Sequence, residues 1–515
     1  MKFFSFLIIF SLVVSLLACK ASNLEEDTQT SYENPTGAAE RFSDAEFNSL
    51  PPLQQYQVAN KLKATFYKGI KADEFFDLTA GTENLKTKSQ QNLISNTANN
   101  LKQHLRNKEA YVARLESRFV FTRRDNDTKA AEHKPSAEPL ATIHLFPESR
   151  DLMESWMAYT LANTILFSPA AEIDSASYID VQNIYSGLTD AMNSGKTIRE
   201  IIFTHMKSEA NWRRFRSPED NTREMIEIYL GLFDRDEDVP KASLACKDWS
   251  ITDDEDGYQL QTDKLKENRE PQYVLDQWVT SCEDFYQVVA SHPLVIPRIT
   301  TVLVDKFFPD ASSEKRAALV QSIANTNPSH FFDIFTAIIF SREYLLNSQK
   351  PKNLEETFFN LAERIHWEAD KRFFYYLTDP DQGASFPTLH KMKQPAMTLK
   401  LGRWMTQPLD SLSFAYYHEA IREQLLIKRK TESFRSDRRG WTTEYLKAAD
   451  FLEKDQFINY LFISVLARKT TDDELSQLNT IISEGGHEKD FNAIAMIILD
   501  YLSRLPELYY FRAVK

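Results

Sequence analysis

The chain has 515 residues and a formal net charge of −13 at pH 7, with no basic tail. That balance argues against a nucleic-acid partner, which calls for a basic face or arm. Glycine is scarce, at 12 residues, against an ordinary usage of ~7%. Strand-rich folds depend on tight glycine turns and helical ones do not. The composition therefore predicts a mainly α protein, a multi-helix array with little or no β structure.

Residues 1–18 read as a signal peptide. Lys2 gives a positive start, and residues 3–17 form an apolar run. A membrane span needs about 20 residues, so this run is too short. It ends in Leu16-Leu17-Ala18-Cys19, which resembles the bacterial lipobox. That resemblance implies cleavage before Cys19 and acylation of the cysteine, palmitate included, giving two or more chains and a stable anchor. Lys20 follows, as in lipoproteins sorted to the outer membrane of Gram-negative cells. Residues 19–43 then read as the acylated cysteine and a polar, acidic, flexible tether.

Residues 44–140 form a predicted N-terminal helical region. Leu53, Tyr56, Val58, Leu62, Phe66 and Ile70 recur near helical spacing. Residues 79–109 suggest a loop and a solvated helix, and 110–121 another helix. Residues 122–139 carry charges and prolines without a period and read as a linker.

A repeated grammar follows, through a central domain at 141–350 and a C-terminal domain at 351–515. An apolar helix comes first, at 154–167, 294–308 and 457–467. A second helix opens from an acidic or Ser/Thr-rich start, at 175–192, 312–324 and 471–482. A third, at 197–206, 331–340 and 491–502, ends in serine, a short gap and an aromatic: Ser208 and Trp212, Ser341 and Tyr344, Ser503 and Tyr509. Three related helix triplets predict stacked helical units. Thr471 to Glu474 fits a capping box.

The stretch 217–249 offers the best candidate chemistry. Ser217 can cap a helix with Pro218 at its first position. Helical spacing puts Ile226, Tyr229, Leu230 and Phe233 on one face, and Asp220, Arg223, Glu224, Glu227 and Gly231 on the other. Glu224 and Glu227 have the spacing of an acid–base or metal-binding pair. Arg223, four residues from both Glu219 and Glu227, has the spacing of helix ion pairs. With His292 these residues form the candidate polar site: Arg223, Glu224, Glu227 and His292. Cys246 and Cys282 are either a disulfide or two separate core residues; sequence does not give the Cα separation that decides.

Familiar catalytic patterns do not occur. His418-Glu419 begins like a zinc-protease motif, but Arg422 stands at the second histidine position. The run 234–238 begins like a calcium loop and fails at Val239 and Ala245. No metal, cofactor or catalytic residue is predicted. The basic stretch 428–439 reads as a solvated loop that anionic headgroups or polysaccharide would suit.

Asn221-Thr222-Arg223-Glu224-Met225-Ile226-Glu227-Ile228-Tyr229, then Asp238-Val239, Ala242, Ala245 and Trp249, resembles the signature of the bacterial domain-of-unknown-function family numbered eighteen hundred. His292-Pro293, the helix end at 337–344 and Met392-Lys393-Gln394-Pro395 are similar to later pieces of that family, in its order. Lys393, Asp248 and the Thr301-Val302 pair depart from its pattern. The resemblance covers 151–426 and implies an exported, mostly helical protein without a settled activity.

The expected function is that of a lipid-anchored cell-envelope protein of helical-repeat type with a scaffold or binding role. Its partners would be outer-membrane lipid, through Cys19, and an envelope protein or polysaccharide. The alternative is an envelope enzyme of unknown reaction using a carboxylate and arginine site on the 218–232 helix.

Overall fold

The computed structural model describes residues 34–76, 91–118, 128–166, 178–254, 257–365, 374, 377, 411–422, 425 and 452–514. The expected signal segment, Cys19, Met392 to Pro395 and the basic stretch 428–439 lie outside them. Among the described residues the fold is mainly α, with two two-stranded sheets.

Residues 34–43, expected within the tether, are docked on the body. Phe42 N donates to Phe340 O at 2.9 Å, and Arg342 N donates to Glu40 O at 2.8 Å. Ala39 and Phe42 are buried. These two apolar side chains and the hydrogen bonds to Phe340, Arg342 and Ser322 hold the segment down. Helices α1 (Asp44–Ser49), α2 (Pro52–Thr65), α3 (Ala72–Phe75), α4 (Leu93–Asn100) and α5 (Lys108–Arg118) follow.

The expected linker at 122–139 is corrected from residue 128 on. Helix α6 (Thr128–Leu145) runs through Pro135 and Pro139. Proline inside a helix removes a hydrogen bond and clashes with the preceding turn. Here Leu140, Ala141 and Ile143 are buried, against α7 (Arg150–Ala162) and α8 (Tyr178–Asn193). Tertiary burial outweighs the local penalty.

All nine helices of the three triplets are present. The first triplet is α7, α8 and α9 (Ile198–Met206). Next come α10 (Glu209–Arg214), α11 (Pro218–Leu230), α12 (Val239–Ala245) and the hairpins β1 (Trp249–Asp254) with β2 (Gly257–Thr262) and β3 (Gln272–Val274) with β4 (Gln277–Val279), both antiparallel. Helix α13 (Cys282–Ser291) leads to the second triplet, α14 (Val295–Phe307), α15 (Ser313–Ala324) and α16 (Phe331–Ile339). Helices α17 (Leu354–Arg364) and α18 (Ser411–Ile421) precede the third, α19 (Lys454–Leu466), α20 (Asp472–Glu484) and α21 (Phe491–Ser503).

The serine–aromatic endings recur as structure. Ser208 caps α10 by accepting from Asn211 N at 3.2 Å. Ser341 Oγ accepts from Tyr344 N at 3.1 Å. The Ser503 carbonyl accepts from Tyr509 OH at 2.7 Å. Trp212, Tyr344 and Tyr509 are all fully buried. In the first two copies the serine hydroxyl caps the turn. In the third the serine carbonyl holds the aromatic, while its hydroxyl donates to Asp500 O. Each aromatic plugs the core just beyond.

The N-terminal helices join the later ones. Helix α2 packs on α17 and on the π-helical turn Glu343–Asn347, α3 packs on α19, and α7 on α16. One apolar cluster accordingly runs from Ala39 to Tyr509. No single helix among the described residues is long and apolar enough to cross a membrane.

Candidate functional site

Helix α11 begins as its residues predict. Ser217 Oγ accepts from Asp220 N at 3.1 Å, and Pro218 holds the first helical position. It ends at Gly231, which takes φ of 71°, a left-handed conformation that suits glycine. Phe233 therefore falls beyond the helix and is 65% exposed. Its predicted place on the apolar face is corrected for that reason. Met225, Ile226, Tyr229 and Leu230 form the buried face.

The charged row is half-exposed. Arg223 pairs with Asp236 at 2.8 Å and with Glu219 at 3.7 Å. The Glu224 carboxyl is pushed above the usual carboxylate range, chiefly by burial and then by Asp220 and Glu227 beside it. Arg214 and Arg223 oppose that shift. His292 stands outside this electrostatic network. It ends α13, its Nδ1 accepts from Leu294 N at 3.2 Å, and its carbonyl accepts from Arg199 at 3.0 Å. Burial and then the cations Arg235 and Arg199 lower its pKa against the opposing charge of Asp276, and the lowering favours the neutral ring. Arg223, Glu224 and Glu227 are thus one group, and His292 belongs to another built on arginines.

Cys246 and Cys282 form a disulfide. It ties the end of α12 to the start of α13, and both residues are fully buried. Around the acidic run, Asp238 lies 3.6 Å from Arg235. His418 stacks on Phe414, and its Nε2 lies 3.2 Å from Ser503 Oγ. No group of three or more histidine, cysteine or acidic side chains suited to a metal occurs among the described residues.

Sequence reasoning missed the most unusual polar site. Lys350-Pro351-Lys352 is extended, with Pro351 bridged to Tyr510. Residues two apart in an extended chain share a side, so Lys350 and Lys352 both reach Phe511. Their Nζ atoms lie 4.9 and 5.3 Å from its ring centroid. Lys61, from α2, brings a third ammonium to 5.8 Å. The register is held by Phe511 N donating to Lys350 O at 2.8 Å and Lys352 N to Tyr509 O at 2.9 Å.

Each lysine is satisfied differently. Lys350 donates to both oxygens of Glu356, at 2.7 and 2.6 Å. Lys61 donates to Ser348 O at 2.6 Å and Lys352 to Leu508 O at 3.0 Å. Burial pushes Lys61 down to about 7, with Lys350 and Lys352 adding to that and Asp310 and Glu343 opposing it. Lys352 is likewise pushed down to about 7, first by burial and then by Arg364. A cleft of about 410 Å³ opens beside them, lined by Asp310, Gln349, Lys350, Glu507, Phe511 and Arg512 among others. The one local sign in the sequence is Lys350-Pro351-Lys352 before the helix cap Asn353; nothing local marks Lys61.

A second cleft, of about 570 Å³, lies at the other end of α17. Its wall holds a Lys63–Glu148 ion pair and Lys68, which donates to His144 O and lies 3.6 Å from Glu363. Glu363 also accepts from Gly69 N at 2.7 Å. A Cβ at Gly69 would lie 2.4 Å from Asn360 O, so only glycine permits this approach. Burial lowers the Lys68 pKa and raises that of Glu363, each opposed by the other's charge. The set is part-buried, with the Glu363 side chain 29% exposed, and its charges pair with one another across the cleft wall.

No protein-family model, curated protein or solved structure matches this chain.

Proposed function

We propose that the chain is an exported, lipid-anchored cell-envelope protein whose helical body serves as a binding scaffold. The observation that carries this reading is the buried Cys246–Cys282 disulfide. Disulfides persist in oxidising compartments and are rare in reducing ones. It is independent of the lipobox at residues 16–19, and both point outward from the cytoplasm. The docked segment 34–43 supports the same reading, because it would join a short membrane tether directly to the folded body. The two clefts flanking α17 are the places on that body suited to a ligand.

Labelling cells with palmitate tests the anchor. The wild-type chain is expected to take up label and to partition with membranes, and Cys19→Ala to do neither. An unlabelled wild type, or Cys246 and Cys282 recovered as free thiols from intact cells, would overturn the reading. Pull-down of the acylated protein from envelope membranes tests the binding role, and recovery of neither protein nor polysaccharide counts against it.

A further inference from the structure

Three ammonium groups meet around one benzene ring inside the protein, and one carboxylate serves them directly. That carboxylate, Glu356, has both oxygens engaged by Lys350. Lys61 and Lys352 have no carboxylate within ion-pair distance among the described residues, and each donates to one backbone carbonyl. An ammonium carries three N–H donors, so donor capacity remains on both. The Phe511 ring face, with its partial negative charge, is a weak substitute for an anion. The wider field does not make up the difference. Asp310 and Glu343 act on Lys61, but Lys350 and Lys352 oppose them. Lys352 faces Glu356 against Arg364, Lys350 and Arg512. Buried charge without a counter-charge is costly, so these two lysines give up part of their charge near pH 7 and would regain it beside a ligand of the opposite sign.

One edge of the cluster is open to a cleft, while Lys61 and Lys352 are buried and do not line it. The cleft of about 410 Å³ touches Lys350 and Phe511, with Arg512 at its exposed edge. We propose that this cleft binds a phosphoryl dianion, which enters past Arg512, shifts the Phe511 ring and takes Lys350, Lys61 and Lys352 as its donors. Two negative charges match the two lysines that lack a carboxylate. Asp310 and Glu507 also line the cleft, and Glu507 lies 2.9 Å from Arg512. Their charge disfavours a long polyanion and leaves room for a compact one. The site goes beyond the scaffold reading and does not depend on the anchor. Because burial holds Lys61 and Lys352 near neutrality, an anion that needs them charged binds more tightly as pH falls.

Calorimetric titration of the full chain with inorganic phosphate, at ionic strength fixed by chloride, tests the site. Saturable one-to-one binding is expected, weakened by about tenfold or more in Lys352→Met and in Lys61→Met, the size of one charge-assisted hydrogen bond. Neither substitution strands a carboxylate, so both variants should fold, and circular dichroism checks that they do. Glycerol 3-phosphate separates the sources: tighter binding than phosphate supports an esterified ligand such as a headgroup, and weaker binding supports the free ion. Sulfate, a dianion throughout, should bind more tightly at pH 6 than at pH 9. No saturable binding of phosphate or its ester, equal binding by Lys352→Met, or sulfate binding that ignores pH would each overturn the proposal.

Discussion

Two groups of charged side chains in this protein have similar chemistry and opposite settings. On α11, Arg223 is 37% exposed, and its partners Glu219 and Asp236 are 66% and 80% exposed. Water solvates these charges whether or not they pair, so pairing adds little. Around Phe511, Lys350 and Glu356 are 3% and 5% exposed. The protein must there supply everything that water would have supplied. It does so fully for Lys350, through Glu356, and only in part for Lys61 and Lys352. A row of charges visible at helical spacing therefore marks a surface, while the charges under greatest tension come together from distant parts of the chain.

The sharpest test of that contrast removes the one buried counter-charge. Glu356→Gln keeps the capping position of α17, since glutamine serves there as well as glutamate, but leaves Lys350 buried and unpaired. A loss of about 3–5 kcal/mol is expected, read as a lower urea midpoint with unchanged slope. Replacing both partners, as Lys350→Met with Glu356→Leu, should recover most of it. A single substitution that costs nothing measurable would mean that Lys350 finds water, and the contrast with α11 would disappear.

What was legible in the sequence was local. The nine triplet helices follow from apolar periodicity and from caps such as Thr471 with Glu474. The two ends of α11 are written in Ser217-Pro218 and Gly231. What was not legible needed tertiary information or broke a local rule. Helix α6 carries two prolines and is held by its packing on α7 and α8. The β3–β4 hairpin turns at Leu275 and Asp276, both at positive φ. Such two-residue turns usually carry Asn-Gly or Asp-Gly, and without glycine the segment gave no signal. The lysine cluster joins positions 61, 350, 352 and 511, and no window of the sequence contains them together. The row of Arg223, Glu224 and Glu227 was found because it is local, and for the same reason it lies on one helix surface.

The pH dependence of stability gives a second, smaller measure. Lys61 and Lys352 lie at about 7 in the folded protein, against an ordinary 10.5. Between those values the unfolded chain binds more protons than the folded one, so stability rises with pH. From pH 7 to pH 8 the gain is about 1 kcal/mol for each lysine. Higher pH brings an opposing effect, because buried Tyr344 and Tyr509 hold their protons more firmly when folded. The urea midpoint should climb over pH 7 to 8, and Lys352→Met should remove about half of the climb. A flat profile in the wild type would show that both ammonium groups are hydrated.

The smallest effect is expected on α11. Arg223→Ala should leave the urea midpoint unchanged, since its partners remain solvated without it. Glu224→Gln should be neutral or slightly stabilising at pH 7. The folded protein already disfavours the ionised carboxyl through burial and through Asp220 and Glu227, and glutamine removes that conflict. The envelope-enzyme reading makes a different demand of the same variant. If Glu224 serves as an acid or base, Glu224→Gln would cause an envelope phenotype while the urea midpoint stays where it was. A half-exposed carboxylate has little stability to lose, so a phenotype without a stability change could come only from a role in binding or chemistry. That result would move the site from the lysines to α11, and intact function in Glu224→Gln would leave the row as a solvated surface.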